Sequence, residues 1–182
     1  MALKEKFGNR PLRLLFVGHN PGTHSWESGH YYSQPSNNFW RLVLESGIVE
    51  DSINILTDDL LVSEYRIGFT DVIREPNSDS KTIKRKDFLS QRSLFYKRIS
   101  NHANRVKIDP KRVAFVGKRQ FSMLFDPPLK SLDFGLQNRI PPNFPFDCEI
   151  WVLSSPSGRA AMTWAERLKP YRLLGESMHG AF

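Results

Sequence analysis

Four short apolar stretches recur along the chain, and each is followed by a turn rich in glycine, proline or polar residues. They lie at residues 14–17, 67–73, 113–116 and 150–153. Three of them are unbroken apolar runs, which is typical of strands covered on both faces, whereas the second also contains Gly68, Thr70 and Asp71. The pattern predicts four strands with polar chemistry gathered at their ends.

The segments between these stretches show helical spacing of apolar positions. Helices are predicted at residues 38–46, 87–104 and 160–174, with shorter helical turns at 60–62 and 121–125. Asn37 and Asn38 are suited to cap the first helix, and Gly47 to end it. Pro170 is expected to kink or shorten the last helix. Polar or proline-rich connections are predicted at residues 74–86 and 129–147, the former as a mobile surface loop.

The predicted strands alternate with the predicted helices. This order favours a mostly parallel sheet with helices on both faces. We therefore expect an α/β fold, a three-layer α/β/α single domain with a short central sheet that spans residues 1–182. Residues 1–11 and 176–182 are expected to be loose ends.

Composition narrows the classes of function. The net charge is +7, from 26 Lys and Arg against 19 Asp and Glu, which favours a polyanionic partner without requiring one. The single Cys148 excludes an internal disulfide and a multi-cysteine zinc site. No apolar run approaches the roughly 18 residues of a membrane span, and no secretory leader is evident. We expect an intracellular protein without a membrane partner.

The ends of the first and last strands carry the strongest candidate chemistry. GHNPG at residues 18–22 follows the first strand, and SSPSG at residues 154–158 follows the last. If these strands are neighbours, the two turns meet on one rim, where backbone N–H groups suit a polar or anionic ligand. The nucleotide-binding patterns GxxxxGK[ST] and GxGxxG are absent, and so is the GxSxG elbow of hydrolases.

Three histidines, His19, His24 and His30, fall within twelve residues. One interpretation is a metal site, but no carboxylate stands at helical spacing to complete a ligand set. The other interpretation is that they form hydrogen bonds within the loop or to a substrate. We predict no metal and no cofactor.

The first motif resembles that of the mismatch-specific uracil/thymine-DNA glycosylases, the Mug/TDG family. That family reads G-I-N-P-G, then an aromatic residue twelve positions after the Asn, then P-x-N-x-F-W. Residues 18–22, Tyr32 and residues 35–40 follow this pattern without a gap. Residues 154–158 are similar to the second family motif, (N/M)-P-S-(G/S), and the resemblance covers roughly residues 12–175.

The resemblance implies hydrolysis of the N-glycosidic bond of a flipped uracil or thymine, without metal or cofactor. The base-binding residues would be Gly18, His19, Tyr32 and Asn37, with Tyr32 stacked on the base. Asn20 would hold the attacking water. Ser25 would help to hold that water or serve only as a turn residue. Asn37 would bind the base edge or only cap its helix.

The second motif would then enter the duplex as a wedge. It consists of Ser155, Pro156, Ser157, Gly158, Arg159 and Ala160. Ser157 would contact a flanking phosphate, and Arg159 would stack on or bond to the guanine left without a partner.

Among the positions that depart from the family pattern or vary within it, two have roles that stay open. His19 replaces the usual Ile and would touch the base or a 5′ phosphate, or face solvent. Asp71 would activate water, repel the departing anion or cap a turn. On the resemblance we expect a catalytic group of Asn20, Ser25 and Asp71.

The function expected is that of a monofunctional base-excision repair enzyme for uracil opposite guanine, with thymine and other damaged bases as further candidates. Its partner would be double-stranded DNA with a G·U or G·T mismatch. Basic residues expected on the DNA face are Lys81, Lys84, Arg85, Lys86, Lys118, Arg119 and Arg159. We expect a monomer, in the nucleus of a eukaryote or the cytoplasm of a bacterium. The alternatives are a mismatch-binding module with little turnover and a uracil glycosylase without mismatch preference.

Overall fold

The computed structural model describes residues 2–49, 57–159 and 161–180. Its strands are β1 (Leu14–Gly18), β2 (Ile67–Asp71), β3 (Arg112–Val116), β4 (Gly135–Leu136) and β5 (Glu149–Leu153). Its helices are α1 (Thr23–Ser28), α2 (Phe39–Ser46), α3 (Asp58–Tyr65), α4 (Arg85–Val106), α5 (Lys118–Ser122) and α6 (Trp164–His179). A short 3-10 turn, Ser80–Thr82, lies in the connection before α4. The four predicted strands are confirmed, with β2 ending at Asp71.

The strands form one sheet in the order β2-β1-β3-β5-β4, parallel except for β4. The register pairs Gly18 at the end of β1 with Asp71 at the end of β2. β1 lies between β2 and β3, so the connections after β1 and β2 run to opposite sides. Crevices at such a reversal are where open α/β sheets place ligands. The first and last predicted strands are not neighbours, because β3 lies between them.

Alternate residues of the strands pack into two separate cores. Phe16 and Phe69 face α2, α3 and α6, whereas Val17 and Phe115 face α4 and α5. All four side chains are fully buried, and burying each one contributes about 1.5–3 kcal/mol. Two helical layers around one sheet confirm the three-layer α/β/α single domain.

The helix predictions are confirmed in position and need correction at several ends. The Thr57 side chain caps α3 by accepting from Leu60 N at 3.1 Å. Pro170 does not shorten the last helix, because α6 runs on to His179 and buries Tyr171 and Leu174 beyond it. The predicted start of that helix at residue 160 lies outside the described residues. Neither α1 nor β4 was expected, since each is short and lacks a periodic apolar pattern.

The expected loose ends are wrong for part of both termini. Leu3 is buried in the core, and the backbone of Lys6 pairs with that of Phe69, which covers the edge of β2. At the other end, α6 includes residues 176–179 and buries Met178. The described part of the chain has no helix that is long and apolar enough to cross a membrane.

Candidate active site

A cleft of about 610 Å³ opens at the carboxyl edge of the sheet. The predicted site residues that line it are Gly18, His19, Asn20, Ser25, Tyr32, Asn37, Asp71, Ser155, Pro156, Ser157, Gly158 and Arg159. Ala160, the last predicted wedge residue, lies outside the described residues. Residues 77–81 form a further wall that the sequence did not place at the site.

The two sequence motifs meet although their strands are not neighbours. The backbone N–H of Asn38 donates to the carbonyl oxygen of Pro156 at 2.9 Å. Gly158 passes so close to Ser36 that an added Cβ would lie 3.1 Å from the Ser36 carbonyl oxygen. The loop before α2 therefore contacts the second motif, although β3 separates the strands that carry the two motifs.

The side-chain amide of Asn20 is held by backbone carbonyl groups of the loops after β1 and β2. Nδ2 donates to the carbonyl oxygens of Asn77 at 2.9 Å and Pro21 at 3.1 Å, and the Glu75 oxygen lies 3.4 Å away. Oδ1 lies 2.7 Å from Nδ1 of His19. Because both amide hydrogens have carbonyl acceptors, the free capacity of Asn20 is a lone pair on Oδ1.

His19 is packed beside the cleft and does not face solvent freely. Its ring meets Phe88 edge-on, with ring centroids 4.8 Å apart. Burial lowers the pKa of His19 to about 4; the hydrogen bond to Asn20 opposes this shift, and the positive charge of Arg119 adds to it. The imidazole is therefore neutral at physiological pH.

Gly18 and Asp71 share the inner end of the cleft. A Cβ added at Gly18 would lie 2.1 Å from Oδ1 of Asp71 and 3.1 Å from the hydroxyl oxygen of Tyr32. No side chain larger than hydrogen fits there without moving the carboxyl group. The glycine of the first motif is therefore required for this carboxyl to approach the strand end.

Asp71 is 3% exposed, and burial raises its pKa to about 7. Arg74 opposes the shift and donates to Asp71 Oδ2 at 3.1 Å, while the charge of Glu5 adds to it. Arg74 also donates to the Tyr31 hydroxyl at 2.9 Å. The carboxyl is thus poised between its neutral and ionised forms near neutral pH, with Oδ2 held by Arg74. Arg74 was not predicted as a site residue, because its partners Leu3, Tyr31 and Asp71 come from three separate segments.

Tyr32 has one ring face covered. Its ring stacks on Phe39 at a centroid distance of 3.9 Å, so a base could stack only on the opposite face. The backbone of Tyr32 has φ of +53°, a left-handed conformation that is costly for an aromatic residue. Its hydroxyl is buried and has no hydrogen-bond partner among the described residues. Strain and an unpartnered buried hydroxyl together are typical of a ligand site.

Ser25 and Asn37 differ in how far the fold already uses them. Ser25 is buried, and its hydroxyl oxygen accepts from the backbone N–H of Ser33 at 3.3 Å. The side-chain oxygen of Asn37 accepts from Phe39 N at 2.9 Å, so Asn37 does cap the start of α2. The side-chain amide nitrogen of Asn37 remains a candidate contact for a base edge, since Asn37 also lines the cleft.

The rim of the cleft presents Gly158 and Arg159, both exposed. Two side chains of α6 hold the backbone that leads to this turn. Arg167 Nη1 donates to the carbonyl oxygen of Ser157 at 3.2 Å, and the Tyr171 hydroxyl donates to the carbonyl oxygen of Ser154 at 2.8 Å. The turn therefore presents an exposed tip while the backbone before it is fixed by α6.

Several basic residues expected on the DNA face are already engaged. Arg119 donates to the carbonyl oxygens of Ser80 and Ile83 and so faces inward, contrary to expectation. Arg85 pairs with Asp126. Lys81 and Arg159 are the members of that basic set that line the cleft.

Among the described residues, one group has the geometry of a metal site: His30, Asp58 and Asp59. The ammonium group of Lys6 lies 2.9 Å from Asp58 Oδ2 and 2.7 Å from Asp59 Oδ1. This cation pairs with both carboxylates, so the cluster ties the amino-terminal segment to α3. Its residues do not line the cleft, and the three histidines do not converge.

Fold and cleft define a class of α/β protein with its ligand site at the carboxyl edge of a parallel sheet. The cleft combines a fixed asparagine, a buried carboxyl and an exposed turn at Gly158 and Arg159. The sequence matches the model of the uracil DNA glycosylase superfamily over residues 5–174. That match covers most of the chain, and the protein belongs to this superfamily. Membership indicates a DNA glycosylase, a hydrolase that acts on uracil in DNA repair. The superfamily is broader than its mismatch-specific branch, to which the first motif is similar.

Proposed function

We propose that the protein is a monofunctional glycosylase that releases uracil mispaired with guanine from double-stranded DNA, as a base-excision repair enzyme. The observation that carries the proposal is the fixed amide of Asn20 in the wall of a cleft that has the exposed Gly158 and Arg159 at its rim. A duplex hides the reacting bond, so the base must be flipped into the cleft before hydrolysis.

In this proposal, Asn20 positions the attacking water. The free lone pair of Oδ1 accepts a hydrogen bond from the water, since the amide hydrogens are already committed. An amide is no base, so its contribution is orientation of the water toward the electron-poor sugar carbon. The Ser25 hydroxyl gives a second contact for the water.

Asp71 acts in its neutral form. A protonated carboxyl near Gly18 donates a hydrogen bond to a carbonyl oxygen of the departing base and stabilises its developing negative charge. An ionised carboxylate at the same place would repel that anion. The raised pKa keeps a large share of Asp71 protonated at neutral pH.

The flipped base stacks on the open face of Tyr32. The backbone N–H groups of His19 and Tyr32 and the side-chain amide of Asn37 contact the base edge. Outside the cleft, Gly158 and Arg159 fill the space that the base leaves, and the guanidinium of Arg159 bonds to the opposite guanine. Guanine is favoured because it presents the acceptor O6 where adenine presents an amino group, which cannot accept from a guanidinium.

A substrate panel tests the proposal. Single-turnover release of base is measured from duplexes with U or T opposite G, from a duplex with U opposite A, and from single-stranded DNA. We expect the fastest release from G·U. Equal rates from G·U, A·U and single strands would indicate a glycosylase without mismatch preference. Tight binding to G·U without release would indicate a mismatch-binding module.

A further inference from the structure

The orientation of the Asn20 amide is defined by its surroundings. Three backbone carbonyl oxygens, from Pro21, Glu75 and Asn77, lie within 3.4 Å of one side-chain atom. Carbonyl groups only accept hydrogen bonds, so this atom is the amide nitrogen. The other end of the amide is Oδ1, and it faces His19.

This orientation fixes the proton on His19. Oδ1 of Asn20 only accepts, and Nδ1 of His19 lies 2.7 Å from it, so Nδ1 carries the hydrogen. The ring is neutral at physiological pH because burial lowers its pKa to about 4. A neutral imidazole has one N–H, so Nε2 bears a lone pair. Nε2 is buried and has no partner among the described residues, which a lone pair tolerates better than an N–H does.

The histidine ring itself packs against α4. Phe88 of α4 packs edge-on against it, and the guanidinium of Arg119 of α5 lies over the ring of Phe88 at 5.8 Å. The carbonyl oxygen of His19 accepts from Ile73 N at 3.1 Å. The side chain of His19 is therefore held by α4, and its backbone by the loop after β2.

We propose that His19 is a positioning residue that holds Oδ1 of Asn20 in the direction required to orient the attacking water. The inference rests on the proposed glycosylase function. The similar family motif has Ile at this position, which has no hydrogen to donate. In this chain, backbone carbonyl groups hold Nδ2 of Asn20, and the side chain of His19 holds Oδ1.

Three substitutions separate a positioning role from simple packing. His19→Ile keeps bulk and removes the donor. His19→Asn places an N–H near the position of Nδ1, and His19→Gln places it near that of Nε2. We expect the single-turnover rate of uracil release from G·U to fall about tenfold in the Ile and Gln variants and about threefold or less in the Asn variant. The matched control is His179→Asn at the far end of α6, with an unchanged rate.

Substrate affinity is measured in parallel on a duplex that carries 2′-fluoro-2′-deoxyuridine opposite guanine, whose glycosidic bond resists cleavage. A positioning role predicts a dissociation constant within about twofold of wild type in each variant, because only the water is misplaced. Equal rates in the Ile variant and wild type would overturn the proposal, and so would a loss confined to binding. Circular dichroism shows whether each variant is folded.

A spectroscopic measurement keeps this test separate from that of the function. In protein labelled with ¹⁵N-histidine, the His19 resonance is assigned by its absence from the Asn variant. We expect Nδ1 protonated and Nε2 unprotonated at pH 7. The opposite tautomer would overturn the inference even if uracil is released. Absence of uracil release in wild type, with the expected tautomer, would refute the proposed function alone.

Discussion

At the scale of single residues, the cleft holds a carboxyl group whose ionisation changes near physiological pH. Asp71 is buried beside the strand end at Gly18 and is held by Arg74, with Glu5 and Arg98 as the other nearby charges. Its protonated form donates a hydrogen bond, whereas its ionised form repels an anion. The proposed chemistry therefore depends on the protonation state of one buried group.

A pH profile tests this dependence. We expect the single-turnover rate of uracil release in wild type to fall as pH rises through about 7, because Asp71 loses the proton that it would donate. Asp71→Asn keeps a donor and does not ionise, so its rate should stay within about threefold of wild type at pH 6 and show no step at pH 7. A rate that rises through pH 7 in wild type and is lost in the Asn variant would identify Asp71 as a base.

The same pKa has a consequence for stability that does not depend on activity. The folded pKa is about 7 and the ordinary value is 3.8, so the folded state holds the proton longer than the unfolded chain. Stability from neutral Asp71 is fully present below the unfolded pKa and is lost as pH rises toward 7. Urea unfolding at pH 5 and pH 8 should show Asp71→Asn gaining on the order of 2 kcal/mol relative to wild type at the higher pH.

At the scale of elements, one side chain fixes the wall of the cleft formed by residues 77–81. Arg119 of α5 donates to the carbonyl oxygens of Ser80 and Ile83. The same wall supplies the Asn77 carbonyl that binds the Asn20 amide. Helix α5 thus reaches the proposed catalytic residue through the loop before α4.

Removing this anchor should loosen the loop. We expect Arg119→Ala to speed amide hydrogen exchange of residues 77–83 by about tenfold and to lower the rate of uracil release, because Asn20 loses a fixed acceptor. The matched control is Arg92→Ala, since Arg92 donates to the Leu124 carbonyl at 2.9 Å, away from the cleft. Equal exchange in both variants would show that the loop is held without Arg119.

Elements with their own apolar signal were the ones that the sequence predicted. β1, β3 and β5 each contain an unbroken apolar run of four residues, and α4 repeats buried Phe88, Phe95 and Ile99 at helical spacing. The order of the strands was not predictable, because it depends on which side each long connection crosses. The loop before α4 looked like solvent-exposed chain, since its contacts with Asn20 are made by backbone carbonyl groups that any residue type supplies.

Site residues also divide into those that the sequence predicted and those that it did not. Asn20 and Tyr32 were found from the motif and its spacing, and both line the cleft. Arg74 and the inward-facing Arg119 were missed or misplaced, because a charged side chain in sequence does not reveal whether its partner is a carbonyl, a carboxylate or DNA. The contact between His19 and Asn20 joins adjacent residues, yet it depends on a tautomer that only the surrounding acceptors define.

At the scale of the whole molecule, the net charge is +7, but some of the basic side chains form ion pairs within the fold. Arg98, Arg112 and Lys6 pair with carboxylates, whereas Arg159 is exposed at the rim of the cleft. The electrostatic contribution to DNA binding should therefore come from a limited set of side chains near the cleft.

Salt titration of DNA binding measures that contribution. For Arg159→Ala we expect loss of the preference for guanine with a nearly unchanged slope of log K against log salt, because the proposed contact is to the opposite base and not to a phosphate. A slope shallower by about 0.9, the value for one lost phosphate contact, with the preference for guanine kept, would assign Arg159 to the DNA backbone instead. The exposed Arg172 on α6 serves as the control, and its replacement by Ala should leave both quantities unchanged.

The central claim is that this cleft hydrolyses the bond to uracil through water held by Asn20. The most direct test is single-turnover release of uracil from a G·U duplex by wild type and by Asn20→Ala, with both shown to be folded and to bind the duplex. We expect release by wild type and a rate at least about 100-fold lower in the variant. Equal release by the two proteins would contradict it.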